Sequence, residues 1–280
     1  MDLFVLTYGR ATPERQHTLR QLNAAGLRAC LVIQAREAGE YLWYSSGDIA
    51  VLPPDITTIA PSRQYIHEFL ASEKYVMLDD DLHFFKRRKD DKTKFITIFP
   101  DELVQMFDDI EHTLDEYPHV GIASREGGNR IISSITFNTR IMRLLAYKRS
   151  AVLGRFSDME VMEDFHVALS MLRAGRQNVL LNNYCHNQAE GSNAAGGCSH
   201  FRTPELQARN AHRLADIHKP FVTVIEKKTK TAWGGGKRTD VRIQWKAAYE
   251  SSRTSRLDNG KGATASTQGG IEAAPAVDVE

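Results

Sequence analysis

Cysteine is scarce in this chain: three in 280 residues, Cys30, Cys185 and Cys198, scattered and without a CxxC pair. An odd, dispersed set argues against a disulfide framework and points to a reducing compartment. Long apolar runs are missing as well. No stretch reaches the ~18 apolar residues of a membrane span. The N-terminal MDLFVLTYGR lacks the basic region and long apolar core of a signal peptide and reads directly as a first strand. A soluble, cytoplasmic protein with no membrane partner is expected. Charge of one sign is also lacking. With 36 Lys and Arg against 35 Asp and Glu, the formal net charge is +1. No global field draws the chain to nucleic acid or lipid, so any polyanion contact must come from a local patch. What is present is ordinary for a globular protein: 42% hydrophobic and 25% charged residues, in a chain long enough for one large α/β domain or two small ones.

The most informative stretch is Lys74 to Phe85, KYVMLDDDLHFF. A continuous apolar run, Tyr75 to Leu78, reads as a strand buried on both faces. It runs straight into Asp79, Asp80 and Asp81. Carboxylates at the carboxyl end of a buried strand sit where open α/β sheets bind ligands. Strand alternation points Asp79 and Asp81 one way and Asp80 the other. Two neighbouring carboxylates repel each other, and a hard divalent cation removes that repulsion. Mg²⁺ or Mn²⁺ bridging Asp79 and Asp81 to the phosphates of a ligand is the simplest reading; a solvated acidic turn is the bland one.

Around this stretch the chain alternates. Leu3 to Leu6 is a strand, followed by a helix capped by Thr12 with Pro13 at its first position and ended by Gly26. Ala29 to Ile33 and Ile49 to Leu52 are further strands, with a short helix over Glu37 to Tyr44 between them. A helix from Ser62 to about Ser72 precedes the acidic strand. This β-α-β-α-β-α-β order predicts a mostly parallel sheet with helices on both faces. Pro100 to Glu116 is an amphipathic helix with Leu103, Phe107, Ile110 and Leu114 on one side. His119 to Ala123, Ile135 to Phe137, Leu144 to Tyr147 and Val179 to Leu181 read as strands, the second and third with an antiparallel option. Phe156 to Arg173 holds a second acidic centre. Glu163 and Asp164 lie near the start of its helix, where the helix dipole favours negative charge whether or not there is a function. Thr203-Pro204 opens a helix to about His218.

Two charged or polar segments stand out. Lys86 to Lys94, KRRKDDKTK, is a solvated loop or a mobile lid beside the acidic strand. Tyr184 to Arg202 is rich in small residues and carries His186, Glu190, Cys198 and His200. A zinc site from Cys185, His186, Cys198 and His200 fits the usual ligand spacings poorly. From Glu226 the composition turns basic, with Trp233 and Trp245 interleaved, the mix that nucleic acid prefers. The expected division is residues 1–225 as the main domain, 226–249 as a basic arm and 250–280 as a disordered tail.

Together these segments resemble the GT-A glycosyltransferases, the Rossmann-like α/β fold with an Asp-x-Asp motif at a strand end. The residues that carry the resemblance are LFVLTYGR, the block IAPSRQYIHEFLASEKYVMLDDDLHFF and the later MEDFHVALSMLRAG. Within that fold, the TYGR start, the SRQY helix, LDDDL, MEDF and the loop ending GGCSHFR are most similar to the phage TET-associated glycosyltransferases, which are similar to base J glucosyltransferases. The resemblance implies transfer of a sugar from a nucleotide sugar, a UDP-sugar, onto a hydroxymethylated pyrimidine such as 5-hydroxymethylcytosine in DNA, in the host cytoplasm for a phage enzyme. It implies Asp79 and Asp81 as metal ligands with His186 as a third. Arg10 and Arg63, with Thr7 and Asp80 beside them, would contact the donor. Asp164, with Glu163 second, would be the catalytic carboxylate. His67 and His83 are more readily packing residues, while His166, two residues past Asp164, is open to either reading. Tyr8, Phe84, Phe85 and Tyr184 lie near the rim, where a flipped base would need an aromatic platform.

Three rival readings remain. A phosphohydrolase of the haloacid dehalogenase type uses Asp-x-Asp on its first strand, whereas here the motif lies on about the fourth. A two-metal nucleotidyltransferase would want a Gly-rich, Lys-containing loop after the first strand, which is missing. A DNA-binding module on an inactive transferase fold would lean on Lys227 to Lys246 and need neither Asp79 nor Asp81.

Overall fold

The computed structural model describes residues 1–45, 47–189, 202–229 and 236–262. Its strands are β1 (Asp2–Leu6), β2 (Cys30–Gln34), β3 (Asp48–Leu52), β4 (Lys74–Asp79), β5 (Leu82–Arg87), β6 (Phe95–Thr97), β7 (His119–Ser124), β8 (Ile135–Phe137), β9 (Leu144–Lys148), β10 (Asn178–Gln188), β11 (Val222–Thr229) and β12 (Gly236–Ile243). Its helices are α1 (His17–Ala24), α2 (Ile59–Tyr65), α3 (Pro100–Glu116), the single turn α4 (Arg125–Gly128), α5 (Glu163–Arg173), α6 (Pro204–Ile217) and α7 (Trp245–Gly262). The main sheet has the order β3-β2-β1-β4-β9-β7-β10-β5-β6, with β8 also paired to β10. β1 to β4 are parallel, and β9 runs against both of its neighbours. β7 and β10 are parallel again. This is the mixed but mostly parallel α/β sheet that the alternation of strands and helices predicts.

Both faces of the sheet are covered, which is why its central strands are apolar throughout. Leu3, Val5, Val76 and Leu78 point to the face packed by Leu19 and Leu22 of α1 and by Leu103, Phe107 and Ile110 of α3. The intervening Phe4, Leu6, Tyr75 and Met77 point to the other face, against Ile66 and against Val167 and Met171 of α5. The period-two alternation of β1 and β4 thus decides which helix each residue meets. No helix among the described residues is long and apolar enough to cross a membrane.

His119 is buried at the start of β7. Its Nδ1–H donates to the Ala146 carbonyl at 2.9 Å and its ring stacks on Tyr147, with centroids 4.2 Å apart. Burial pushes the imidazole down to about 4. The unfolded chain, with a value of roughly 6.5, therefore takes up the proton first as pH falls. His119 stabilises the fold fully above that value and loses the contribution on the way down to about 4. The difference in unfolding free energy between wild type and His119→Asn is expected to shrink by about 2 kcal/mol between pH 7 and pH 5. Urea unfolding at the two pH values checks this, and a pH-independent difference would show that the ring is not held neutral.

The C-terminal part departs from the sequence expectation. Of residues 226–249, read as a basic arm, 226–229 belong to β11, 236–243 form β12 paired antiparallel to it, and 245–249 start α7. Val222 and Val241 of the hairpin pack with Leu169 and Leu172 of α5, Leu214 of α6 and Ala248 of α7. Trp245 meets Phe165 edge-on at 5.7 Å, so its ring is committed to packing. Trp233 lies outside the described residues. Helix α7 also carries the chain past residue 249, where a disordered tail was expected. The helix expected from Ser62 to about Ser72 starts earlier, at Ile59 with Thr58 before it, and gives way to a π turn at Ile66–Leu70.

Candidate active site

The acidic motif sits where the sequence places it, at the carboxyl end of β4. Asp79 is the last residue of β4, and Asp80 and Asp81 turn the chain into β5. The turn is stitched by α1. Thr18 Oγ1 donates to the Asp79 carbonyl at 2.6 Å and accepts from the Leu82 N–H at 2.9 Å. Gln21 donates to the Leu82 carbonyl at 2.7 Å and accepts from the Phe84 N–H at 3.1 Å. Backbone groups that would otherwise be unpaired at a strand end are thereby satisfied, and the three carboxylates divide, Asp79 toward Arg63 and Asp80 and Asp81 toward Arg10.

Asp80 turns down into a buried network. Its Oδ2 accepts from Thr7 Oγ1 at 2.6 Å, and its Oδ1 pairs with Arg10. Gln16 donates to both Thr7 Oγ1 and the Arg10 carbonyl. Burial raises the Asp80 carboxyl to about 7 against the pull of Arg10. Thr7 and Asp80, expected as donor contacts, are thus engaged in bracing Arg10. Arg10 in turn reaches Asp81 Oδ2 at 3.3 Å.

Asp79 faces the other way. Arg63 of α2 reaches its Oδ1 at 3.3 Å and donates to Glu163 Oε1 at 2.6 Å. Burial raises Asp79 to about 6; Arg63 and Arg143 oppose that shift, and Asp81 and Asp164 add to it. Arg63 and Glu163 are both buried, while Asp164 is half-exposed. The two acidic residues at the start of α5 therefore divide. Glu163 is tied to Arg63, and burial raises its carboxyl. Among the described residues Asp164 accepts only the Phe165 N–H, at 3.0 Å, and its charge acts on Asp79. The residue before them, Met162, has φ of 65°. A left-handed backbone is uncommon for a non-glycine residue, and here it sets the angle at which α5 presents both carboxylates.

Arg143 carries no motif signal, and sequence reasoning missed it. It precedes β9, and its φ is 66°. Its carbonyl accepts from the Asp79 N–H at 3.0 Å. The preceding carbonyl, Met142, accepts from His186 Nε2–H at 3.1 Å and from the Leu144 N–H at 2.7 Å. Two hydrogen bonds to neighbouring strands thus hold a strained turn that sets an arginine beside Asp79. Among the described residues, no carboxylate lies within ion-pair distance of the Arg143 side chain. Nearby Arg140 lies 4.6 Å over the Phe165 ring, next to Asp164 in sequence. Arg10 and Arg63, the cations expected to meet the donor, are by contrast already paired with carboxylates.

The expected ligand triad of Asp79, Asp81 and His186 does not assemble. His186 is fully buried, its Nε2 is spent on Met142, and burial with the charge of Arg143 pushes it down to about 3. No group of three or more His, Cys, Asp or Glu among the described residues is arranged to hold a metal ion. The two aspartates do fit a cation shared with a ligand. Asp81 Oδ1 is buried without a hydrogen-bond partner, and Mg²⁺ is commonly held by one or two carboxylates with substrate phosphates completing its shell.

Other candidates are engaged elsewhere. His67 meets the Tyr75 hydroxyl at 2.9 Å, His83 packs on His17, and His166 meets His218 at 3.0 Å. Phe84 is a core residue, Tyr184 donates to Asp109 at 2.6 Å, and Tyr8 is covered by Arg36. Phe85 lies under Arg125, 4.4 Å from its ring centroid. Glu190, Cys198 and His200 lie outside the described residues.

Residues 1–197 match the profile of a family described as TET-Associated Glycosyltransferase. None of the curated proteins matches the chain. Among solved structures it is similar to S. aureus TarS 1-349 in complex with UDP-GlcNAc, at 13% identity over 77% of this chain and 66% of that one, with a TM-score of 0.46. It is also similar to CMP:2-keto-3-deoxy-manno-octonic acid synthetase complexed with CTP, at 14% identity over 64% of this chain and 88% of that one, with a TM-score of 0.40.

Proposed function

The chain belongs to the TET-associated glycosyltransferase family, and from its site we propose that it moves a sugar from a UDP-sugar to the hydroxymethyl oxygen of 5-hydroxymethylcytosine in DNA, with Mg²⁺ or Mn²⁺. The observation that carries this reading is the division of the carboxylates. Asp79 and Asp81 sit at the sheet's carboxyl rim, where α/β folds bind ligands. Asp164 stands partly exposed across from Asp79, with Arg140 near it but no salt bridge of its own among the described residues. A bound divalent cation would neutralise the departing diphosphate, and Asp79 and Asp81 are the residues that would hold it. Arg143 adds fixed positive charge for the same diphosphate, placed there by its backbone bond to Asp79. In an inverting transfer the acceptor oxygen attacks the anomeric carbon as the bond from that carbon to the diphosphate breaks. Asp164 takes the proton of the acceptor hydroxyl. Arg63 and Glu163 position Asp79, and Arg10 with Asp80 and Thr7 positions Asp81. The family name supports a DNA acceptor.

Donor binding tests the reading. Wild type is expected to gain thermal stability with one UDP-sugar in the presence of Mn²⁺, a ligand at ~100-fold its dissociation constant adding about 2.7 kcal/mol. Asp81→Ala should lose the gain. Arg143→Gly separates function from structure: glycine accepts the left-handed backbone freely, so its unliganded Tm should equal or exceed wild type while protection by UDP falls and protection by UMP changes less. No protection of wild type by any UDP-sugar, in either metal condition, would sink the reading.

A further inference from the structure

The acceptor side of the site is open in the family-level reading, and the distribution of paired and unpaired cations bears on it. In the basic segment 226–249 some cations are neutralised within the hairpin, while Lys228, Arg242 and Lys246 are exposed without a carboxylate partner among the described residues. Lys227 and Arg238 both pair with Asp240 at 2.8 Å, and Lys237 pairs with Glu226 at 2.8 Å. Lys86 to Lys94 shows the same mixture of paired and unpaired cations. Lys86 pairs with Glu102, Arg88 with Asp90, and Lys94 with Asp91 at 3.0 Å. That leaves Lys89 and Lys92 exposed and without a carboxylate partner among the described residues.

This loop is fixed to the turn after β7 by one buried side chain. Arg87 donates to the Asn182 carbonyl at 2.9 Å, to the Gly128 carbonyl at 3.1 Å and to the Lys92 carbonyl, and its guanidinium lies 4.4 Å over the Phe95 ring. The expectation of a merely solvated run or a mobile lid therefore gives way to a docked loop. Beyond Gly128 the same surface carries Arg125 and Arg130, both exposed and unpaired by carboxylates among the described residues, and the exposed Ile131 and Ile132. Next comes a cavity of about 150 Å³, walled by Ile122, Leu180 and Met142, with Glu126 the acidic residue on its wall and Arg140 on its far side. Arg140 lies over Phe165, beside Asp164. Lys89, Lys92, Arg125, Arg130 and Arg140 thus mark one continuous course from the β5–β6 loop to the proposed base.

We propose that this course, because it leads from an exposed loop past the cavity to Asp164, is the track along which a DNA backbone lies when its base is presented to that residue, in preference to the C-terminal hairpin. The inference rests on the DNA-acceptor reading above. Lys89, Lys92, Arg125 and Arg130 are exposed without a carboxylate partner among the described residues, the kind of cation a phosphate binds by releasing counterions, and Arg140 carries the line to Asp164, with which it interacts electrostatically. The apolar Ile131 and Ile132 beside the cations suit a base or sugar face. The chain's near-zero net charge is no obstacle, since the field that matters is local.

The test compares two triple variants. One is Lys89→Gln, Lys92→Gln and Arg130→Gln; the other, the hairpin variant, removes the unpaired cations of the C-terminal segment as Lys228→Gln, Arg242→Gln and Lys246→Gln. Binding of a duplex oligonucleotide containing 5-hydroxymethylcytosine is measured by fluorescence anisotropy over a range of salt concentrations. The track variant should lower the slope of log K against log salt by about 2–3, near 0.9 per lost phosphate contact, and weaken binding about tenfold or more at low salt. The hairpin variant should keep the wild-type slope. Both should keep UDP-sugar protection, which shows that the fold and the donor site are intact. An unchanged slope in the track variant, or a lowered one in the hairpin variant, overturns the track while leaving a DNA acceptor standing. Failure of wild type to bind the duplex at any salt, with UDP-sugar protection intact, overturns the DNA acceptor and the track together.

Discussion

Asp164→Asn is expected to lower kcat by about 10²–10⁴ while leaving Tm and UDP-sugar protection close to wild type. The substitution keeps an oxygen for the one hydrogen bond the side chain makes, from the Phe165 N–H. It removes a charge that works against both Asp79 and Glu163. The lost interaction with the N-terminal dipole of α5, about 0.3–1 kcal/mol at an exposed site, is thereby offset. The fold has little reason to notice, and the chemistry loses its proton acceptor. Glu163→Gln is the contrasting case. That side chain is buried against Arg63, so its replacement should cost stability along with activity. The assignment fails if Asp164→Asn keeps most of its activity while a well-folded Glu163→Gln keeps none.

Arg63→Met is expected to cost about 3–5 kcal/mol of stability, the usual penalty for removing one partner of a buried ion pair. Both ends of the bridge are buried, and Arg63 reaches two carboxylates, Glu163 at 2.6 Å and Asp79 at 3.3 Å. Without it, Glu163 must ionise alone in the protein interior or stay protonated, and Asp79 loses the cation that opposes its burial. For a chain of this size each kcal/mol moves Tm by about 2–4 °C, so a fall of roughly 10 °C is expected. The double variant Arg63→Met with Glu163→Leu should recover much of the lost stability, because an apolar pair of similar volume avoids the unpaired charge. It should not recover donor binding, because Asp79 has then lost its partner. Thermal unfolding of the three variants, with and without UDP-sugar and Mn²⁺, checks both halves. A double variant that regains metal-dependent protection would show that Arg63 serves stability alone.

The strand-to-carboxylate step was legible in the sequence because it is local. Tyr75 to Leu78 must be buried on both faces, and the aspartates directly after them must then lie at the sheet's rim. The helix start at Glu163 was legible for the same reason. The roles of individual carboxylates were not. Whether Glu163 or Asp164 is exposed depends on the left-handed Met162 and on an arginine a hundred residues earlier in the chain. Arg143 was invisible because its importance lies in a backbone bond to Asp79, set by the antiparallel pairing of β4 with β9. His186 looked like a ligand by residue type, yet the pairing of β10 between β5 and β7 buries it. In the C-terminal region the sequence does carry a hairpin signal beneath its basic composition. Val222 and Val224, then Val241 and Ile243, alternate on either side of Gly234-Gly235-Gly236, the pattern of two strands joined by a turn. Charge says where a segment can be solvated, whereas this period of two decides which of its residues are buried.

The most direct test of the proposed transfer is a product analysis. Wild type is incubated with Mn²⁺, the UDP-sugar that protects it, and an oligonucleotide containing 5-hydroxymethylcytosine, and the digested nucleosides are weighed by mass spectrometry. The expected result is 5-hydroxymethyl-2′-deoxycytidine heavier by one sugar residue, with UDP released in equal amount. The gain should be absent for unmodified cytosine and should fall steeply for Asp164→Asn. UDP-sugar consumed with the nucleoside unchanged, or sugar attached elsewhere, would contradict the acceptor. Neither consumption nor transfer by the folded, donor-binding protein would contradict the transferase chemistry proposed for Asp79, Asp81 and Asp164.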